Sequence, residues 1–206
     1  MAQSAFDRQS ASPSRFRLDD AAAVSPEDLR AEIIRLRSYV KELERAADSD
    51  PLAPVYNRRA FLRELSRAQS VHQRYQIPTC LLFFDLDGFK SVNDRFGHAV
   101  GDALLINVGE TLQATVRDCD LVARLGGDEF GILIFKTEEE EARKKAGILA
   151  RSLRNIEVDM PNAAVHISTS WGCAPVKSGV TPERIMAEAD KDMYQSKRLK
   201  SAALHA

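Results

Sequence analysis

Two groups of carboxylates carry the chemistry legible in this chain. Asp128 and Glu129 follow Gly126 and Gly127 in Arg124-Leu125-Gly126-Gly127-Asp128-Glu129-Phe130, between apolar runs, and Phe83-Phe84-Asp85-Leu86-Asp87 lies upstream. A two-glycine hairpin tip accepts positive φ, so both acids can project from the turn toward a neighbouring strand. If the strand ending near Asp85 is that neighbour, three carboxylates gather in one place. Such a cluster repels itself unless a cation sits among its members. All-oxygen donors with no nearby His or Cys favour Mg2+ or Mn2+ over zinc, and such ions point to a phosphate compound as substrate.

The elements that must position these acids follow from periodicity and punctuation. Residues 57–75 read as a helix, 79–85 as an apolar strand, 100–116 as a helix, 121–135 as the acid-bearing hairpin and 138–155 as a second long helix. Residues 165–173 alternate as another strand, and Thr181 opens a last helix with Pro182 at its first position and Lys197, Arg198 and Lys200 at its end. The order β, α, β, β, α, β predicts an α+β fold: a mostly antiparallel sheet in the split βαβ, ferredoxin-like arrangement, with helices on one face.

Ahead of this unit, Ser25 is a predicted N-cap, with Pro26 at the first helical position and Glu27 and Asp28 in the first turn. Leu29, Ile33, Leu36, Val40, Leu43 and Ala47 recur at spacings of four and three. β-branched residues at a and leucine at d favour a parallel two-stranded coiled coil, although the same period also suits a helix packed on its own domain. Asp48-Ser49-Asp50-Pro51 ends the helix. Three segments are expected: a flexible tail over 1–24, a dimerisation helix over 25–48, and a globular domain over 50–206.

With 206 residues, 44% of them hydrophobic, the chain has apolar material for one domain of ordinary size plus an appendage. A net charge of -1 argues against a broad basic surface for polymeric nucleic acid, so any nucleotide site must be local. Cys80, Cys119 and Cys173, odd in number and widely spaced, suit buried reduced thiols better than a disulfide or zinc framework. No apolar run approaches a membrane span and no signal sequence is visible, so a cytoplasmic, soluble protein is expected.

Five ordered blocks carry a resemblance. They are Asn57-Arg58-Arg59-Ala60-Phe61, Asp85-Leu86-Asp87-Gly88-Phe89-Lys90-Ser91-Val92-Asn93-Asp94 with Phe96-Gly97-His98-Ala99-Val100-Gly101-Asp102, the Gly-Gly-Asp-Glu-Phe hairpin, Ser170-Trp171-Gly172, and Ala189-Asp190-Lys191-Asp192-Met193-Tyr194-Gln195-Ser196-Lys197. In sequence and spacing they resemble the GGDEF family of diguanylate cyclases, which condense two GTP into cyclic di-GMP and pyrophosphate. The resemblance implies a palm-like sheet and a homodimer in which two GTP sites meet.

It also implies roles for individual residues. Asp85, the Leu86 carbonyl and Asp128 would hold Mg2+ or Mn2+ against the triphosphate, with Glu129 completing the cluster and Asp128 accepting the proton. Lys90 and Lys197 would face phosphates, although a lysine taken alone is more often solvated surface. Asn93 and Asp102 match guanine contacts. His98 matches a position near the nucleotide, and packing or capping at a loop is the equal alternative for it. Arg117 and Asp120, five residues before Gly126, match a site where product restrains the enzyme, with Arg124 joining it; an ion pair at a helix end has the same pattern.

The chain departs from the family at Leu52-Ala53-Pro54-Val55-Tyr56, where Leu-Thr-Gly-Leu-Pro is usual, and at Lys200 and Ser201, where a glycine and an arginine are common. A cyclic di-GMP receptor or signalling adaptor with little or no turnover, acting through the first helix, is the alternative function; a dimerisation adaptor and a cyclase for another nucleotide are further rivals.

Overall fold

The computed structural model describes residues 25–154, 156, 158–160, 163–165 and 167–204. The tail expected over 1–24 lies outside them, as do the side chains of Lys200 and Ser201. Contacts divide the chain into two compact units, Met1–Glu44 and Arg45–Ala206.

Helix α1 (Pro26–Asp48), which starts in the first unit and ends past its boundary at Glu44, begins as its caps dictate. Ser25 Oγ accepts the Asp28 N–H at 3.1 Å and donates to the Asp28 carboxylate at 2.8 Å. The seam residues Leu29, Ile33, Leu36, Val40 and Leu43 are each about half exposed.

The second unit is built on a five-stranded mixed sheet in the order β1-β3-β4-β2-β7. Its strands are β1 (Tyr56–Asn57), β2 (Thr79–Asp87), β3 (Leu121–Gly126), β4 (Glu129–Phe135) and β7 (Ser168–Pro175). All pairings are antiparallel except β1 with β3. The connections run through α2 (Arg58–Tyr75), α3 (Phe89–Phe96), α4 (His98–Thr115), α5 (Glu139–Arg154) and the closing helix α6 (Pro182–Leu204). The two crossovers, from β2 through α4 to β3 and from β4 through α5 to β7, interleave as a split βαβ pair.

Helices cover both faces of the sheet rather than one. Cys80, Leu82, Phe84 and Leu86 of β2 join a core with Leu104, Leu105, Val108 and Leu112 of α4 and Ala142, Ala146, Leu149 and Leu153 of α5. Leu81 and Phe83 point the other way, onto Phe61 and Leu65 of α2 and Ile185, Met186 and Ala189 of α6. Side chains alternate along a strand, so a run such as Leu81-Leu82-Phe83-Phe84 is apolar on both sides and requires two covers. The two crossover helices share one face as expected; the helices flanking the βαββαβ core supply the second.

Several elements escaped the sequence reading, among them the two-residue strand β1. Residues 89–96 form the separate helix α3, cut from α4 by Gly97 at φ 85°. Val158–Met160 and Ala163–Val165 pair as a small second sheet, strands β5 and β6, before the last main strand. Cys119 is exposed, contrary to the buried thiol expected there, because it lies in the turn entering β3; Cys80 and Cys173 are buried, and all three are free. No described helix is long and apolar enough to cross a membrane.

Candidate active site

Register brings the acids together. Asp85 stands directly opposite Glu129 on β4 and opposite Ser170 on β7, and the Leu86 N–H donates to the Asp128 carbonyl at 3.3 Å. Directly opposed residues of an antiparallel pair project to the same face with Cβ atoms about 5 Å apart, so Asp85 and Glu129 face one another. The tip between them has the backbone its glycines permit: Gly126 has φ 153° and Gly127 φ 51°. Arg124 Nε donates to the Gly127 carbonyl at 2.9 Å and fastens the turn from below.

Electrostatics records the crowding. Burial pushes the Asp128 carboxyl above the ordinary range and the Asp85 charge adds to it, against relief from Asp128's own backbone N–H, Lys197 and Arg124. Burial likewise raises Glu129, with Asp190, Asp85 and Asp128 reinforcing the shift and Arg58 opposing it. Lys197 Nζ reaches from α6 to Asp85 Oδ1 at 2.5 Å and to Asp87 Oδ1 at 3.7 Å. Burial alone would lower the Lys197 pKa, but Asp85, Asp87 and Asp128 together raise it. Asp87 is also held by the Ser168 and Ser170 hydroxyls, at 3.0 and 2.8 Å.

The nucleotide-facing residues expected from the sequence lie on α3 and α4. Asn93 on α3 packs against Gly101 of α4 so closely that a Cβ there would fall 1.9 Å from Asn93 Oδ1. That oxygen is buried and has no hydrogen-bond partner among the described residues. Buried polar atoms are nearly always paired, so this acceptor has capacity for one further donor. Asp102 follows Gly101 at the surface, and His98 and Lys90 are also exposed.

The group expected to bind product is not assembled as one cluster. Both Asp120 oxygens accept backbone N–H groups, from Arg117 and from Phe135, each at 3.1 Å, so its carboxylate stabilises the turn into β3. The Arg117 side chain is exposed, and among the described residues it has no hydrogen-bond or ion-pair partner. Arg124 lies four strand residues beyond Asp120, roughly 13 Å away along β3. It pairs instead with Asp50 at 3.2 Å, and both side chains are mostly covered. β3 thus directs the Arg124 side chain to the hairpin tip and the Asp50 loop. That loop absorbs the departure at Ala53-Pro54. Asp50 accepts the Leu52 and Ala53 N–H groups, and Ala53 and Val55 are buried over Gly109 of α4.

The family model for the diguanylate cyclase GGDEF domain matches residues 47–202. This chain belongs to the GGDEF family. Similar proteins include the bifunctional diguanylate cyclase/cyclic di-GMP phosphodiesterase MucR of Pseudomonas aeruginosa, 39% identical over 76% of this chain and 23% of the relative. The diguanylate cyclase TpbB of the same species is 35% identical over 80% of this chain and 38% of its own length. The chain thus spans well under half of either relative. Among solved structures, the coiled coil and GGDEF domain of DgcB from Caulobacter crescentus in complex with c-di-GMP superposes with a TM-score of 0.75 at 28% identity, covering 84% of this chain and 92% of that one. Diguanylate cyclase SiaD from P. aeruginosa, in complex with its activator SiaC, gives 0.72 at 28%, covering 84% and 68%.

Within this GGDEF domain, three site residues had been missed. Asp87 joins Asp85 on one strand face and the Asp190 charge on α6 acts on Glu129, while Arg58 leans on the hairpin through the Leu125 carbonyl at 3.4 Å. Period two in β2 signals the first, and the seven-residue step from Asp190 to Lys197, about two helical turns, signals the second. Arg58 had no signal beyond its place beside Asn57.

Proposed function

We propose that this protein is a diguanylate cyclase joining two GTP into cyclic di-GMP with release of two pyrophosphates. The observation that carries the proposal is the meeting of Asp85, Asp128 and Glu129 at the hairpin, with the latter two acids raised by burial and mutual repulsion. Uncompensated acids in one place suit a hard cation. Among the described residues no three His, Cys, Asp or Glu side chains converge tightly enough to hold an ion unaided. Asp85, Asp128 and the Leu86 carbonyl would therefore hold Mg2+ or Mn2+ together with triphosphate oxygens, and Glu129 would tune their charge. When bound, the ion lowers the pKa of a ribose 3′-hydroxyl and offsets charge on the α-phosphate.

The chain's own groups do the rest. Asp128, with its raised pKa, is suited to take the 3′-hydroxyl proton as the new O3′–phosphorus bond forms and the pyrophosphate bond breaks. The orphan Asn93 oxygen accepts from the guanine edge and Asp102 from the N1–H and exocyclic amine, a donor pair adenine lacks. Lys90 and Lys197 offset phosphate charge, and His98 borders the nucleotide. Arg117, exposed on the turn that Asp120 fixes, offers a guanidinium fork to the phosphates of the product and supports restraint by cyclic di-GMP.

One site cannot close a twofold ring, so the reaction is proposed to take place between two copies. An isologous dimer brings each 3′-hydroxyl to the other α-phosphate. The half-exposed heptad seam of α1 supports a coiled-coil homodimer, with the tail over 1–24, the helix over 25–48 and the catalytic unit over 50–206. A reducing, cytoplasmic setting suits the free thiols and the GTP substrate.

Incubation of the full chain with GTP and Mg2+, followed by chromatography and mass analysis, is expected to yield cyclic di-GMP, with ATP inert. A folded dimer that leaves GTP intact overturns the proposal.

A further inference from the structure

The acid cluster already contains a cation of its own. Lys197 Nζ lies 2.5 Å from Asp85 Oδ1 and 3.7 Å from Asp87 Oδ1, and its charge also acts on Asp128. Asp85 is mostly covered, with 18% of its side chain exposed, whereas 39% of the Lys197 side chain remains exposed. The lysine arrives on α6, across 112 residues of chain, and α6 is seated directly on β7: at Gly172 there is no room for a Cβ beneath the Ala189 carbonyl. Its ammonium is thus delivered by a fixed helix, while its stem is flexible and open to solvent on one side.

We infer that Lys197 is an internal counter-ion that competes with the divalent cation for Asp85 and yields it only when the nucleotide phosphates are present. The inference rests on the cyclase reading of the site. An ammonium and a divalent ion cannot both sit against the same carboxylate oxygen without repulsion, so each suppresses the other. Triphosphate resolves the competition because its oxygens offer the lysine a new anionic partner and the ion additional donors. The ion consequently binds weakly to the nucleotide-free protein and enters with the substrate. Lys197 acts here as a positioning residue for metal loading, in addition to whatever contact it makes with phosphate.

The test is direct titration of the nucleotide-free full chain with Mn2+, read by electron paramagnetic resonance, with no turnover involved. Lys197→Met is expected to tighten Mn2+ binding about five- to tenfold, the scale on which removing a rival occupant frees a site. Lys197→Arg keeps the pairing and is expected to stay near wild type. Arg198→Met, an exposed neighbour with the same charge change, is expected to have little effect. Asp85→Asn defines the signal that belongs to the site. Tightening by Arg198→Met equal to that of Lys197→Met overturns the inference, as does unchanged or weaker binding in Lys197→Met. If no protein shows Asp85-dependent Mn2+ binding, with or without a non-hydrolysable GTP analogue, the metal reading of the site fails and the inference falls with it.

Discussion

Gly172→Ala tests how the last helix delivers its lysine. The added methyl would lie 2.1 Å from the Ala189 carbonyl oxygen and 2.3 Å from the Met193 nitrogen, both backbone atoms of α6. Ordinary contact needs about 1.3 Å more, and no side-chain rotation relieves it, so helix or strand must move. Overpacking of this kind costs about 1–3 kcal/mol, and a backbone clash lies at the upper end. At about 2–4 °C per kcal/mol for a domain of this size, the midpoint of unfolding falls by about 6–12 °C. Met193 precedes Lys197 by one helical turn, so the same displacement withdraws the ammonium from Asp85. Misplacement by 1 Å can cost about a hundredfold in rate. Thermal melts by circular dichroism give the first quantity, and cyclic di-GMP formation at 20 °C, where both proteins are folded, gives the second. A midpoint within about 2 °C of wild type together with unchanged kcat/KM would refute the proposed seating of α6 and its role in the site.

Two further outcomes follow from the same geometry. Asp128→Asn is expected to abolish product formation yet raise the melting temperature of the metal-free protein. The folded-state pKa of Asp128 lies above its unfolded value, so its contribution favours folding at low pH and is lost as pH rises from the unfolded value through the folded one. The stability advantage of the variant should therefore grow with pH across the carboxylate range; an advantage that shrinks over that interval would contradict the raised pKa. Asn93→Leu removes an acceptor that has no partner among the described residues and replaces it with an apolar group, so stability should change by less than about 1 kcal/mol. Competition assays with GTP and ATP should nevertheless show discrimination falling by about a hundredfold or more, and preserved base selection would exclude Asn93 as a guanine contact.

Local signals made part of this protein readable from its chain. Adjacent glycines at 126 and 127 placed the acids on a tip because few other residues accept their φ values. Ser25 marked a helix start because its side-chain oxygen caps a nearby N–H group, as it does here. The β, α, β, β, α, β order and the family blocks single out Asp85, Asn93, Asp102 and Asp128 from the chain alone. Each of these facts depends on residues within a few positions of one another, or on a spacing that survives in the chain itself.

Tertiary structure decided everything that depends on distant partners. Strand pairing, not composition, set Asp85 against Glu129 and placed Asp87 on the same face. The two-sided apolarity of β2 was written in Leu81-Leu82-Phe83-Phe84, but which helices would cover the second face became clear only when α2 and α6 packed there. Arg124 was separated from Arg117 and Asp120 by the rise of its strand and drawn to Asp50 across 74 residues. Lys197 met Asp85 across 112. Charge pairs of that reach leave no periodic trace, because attraction acts through space and only the folded backbone determines which charges are neighbours.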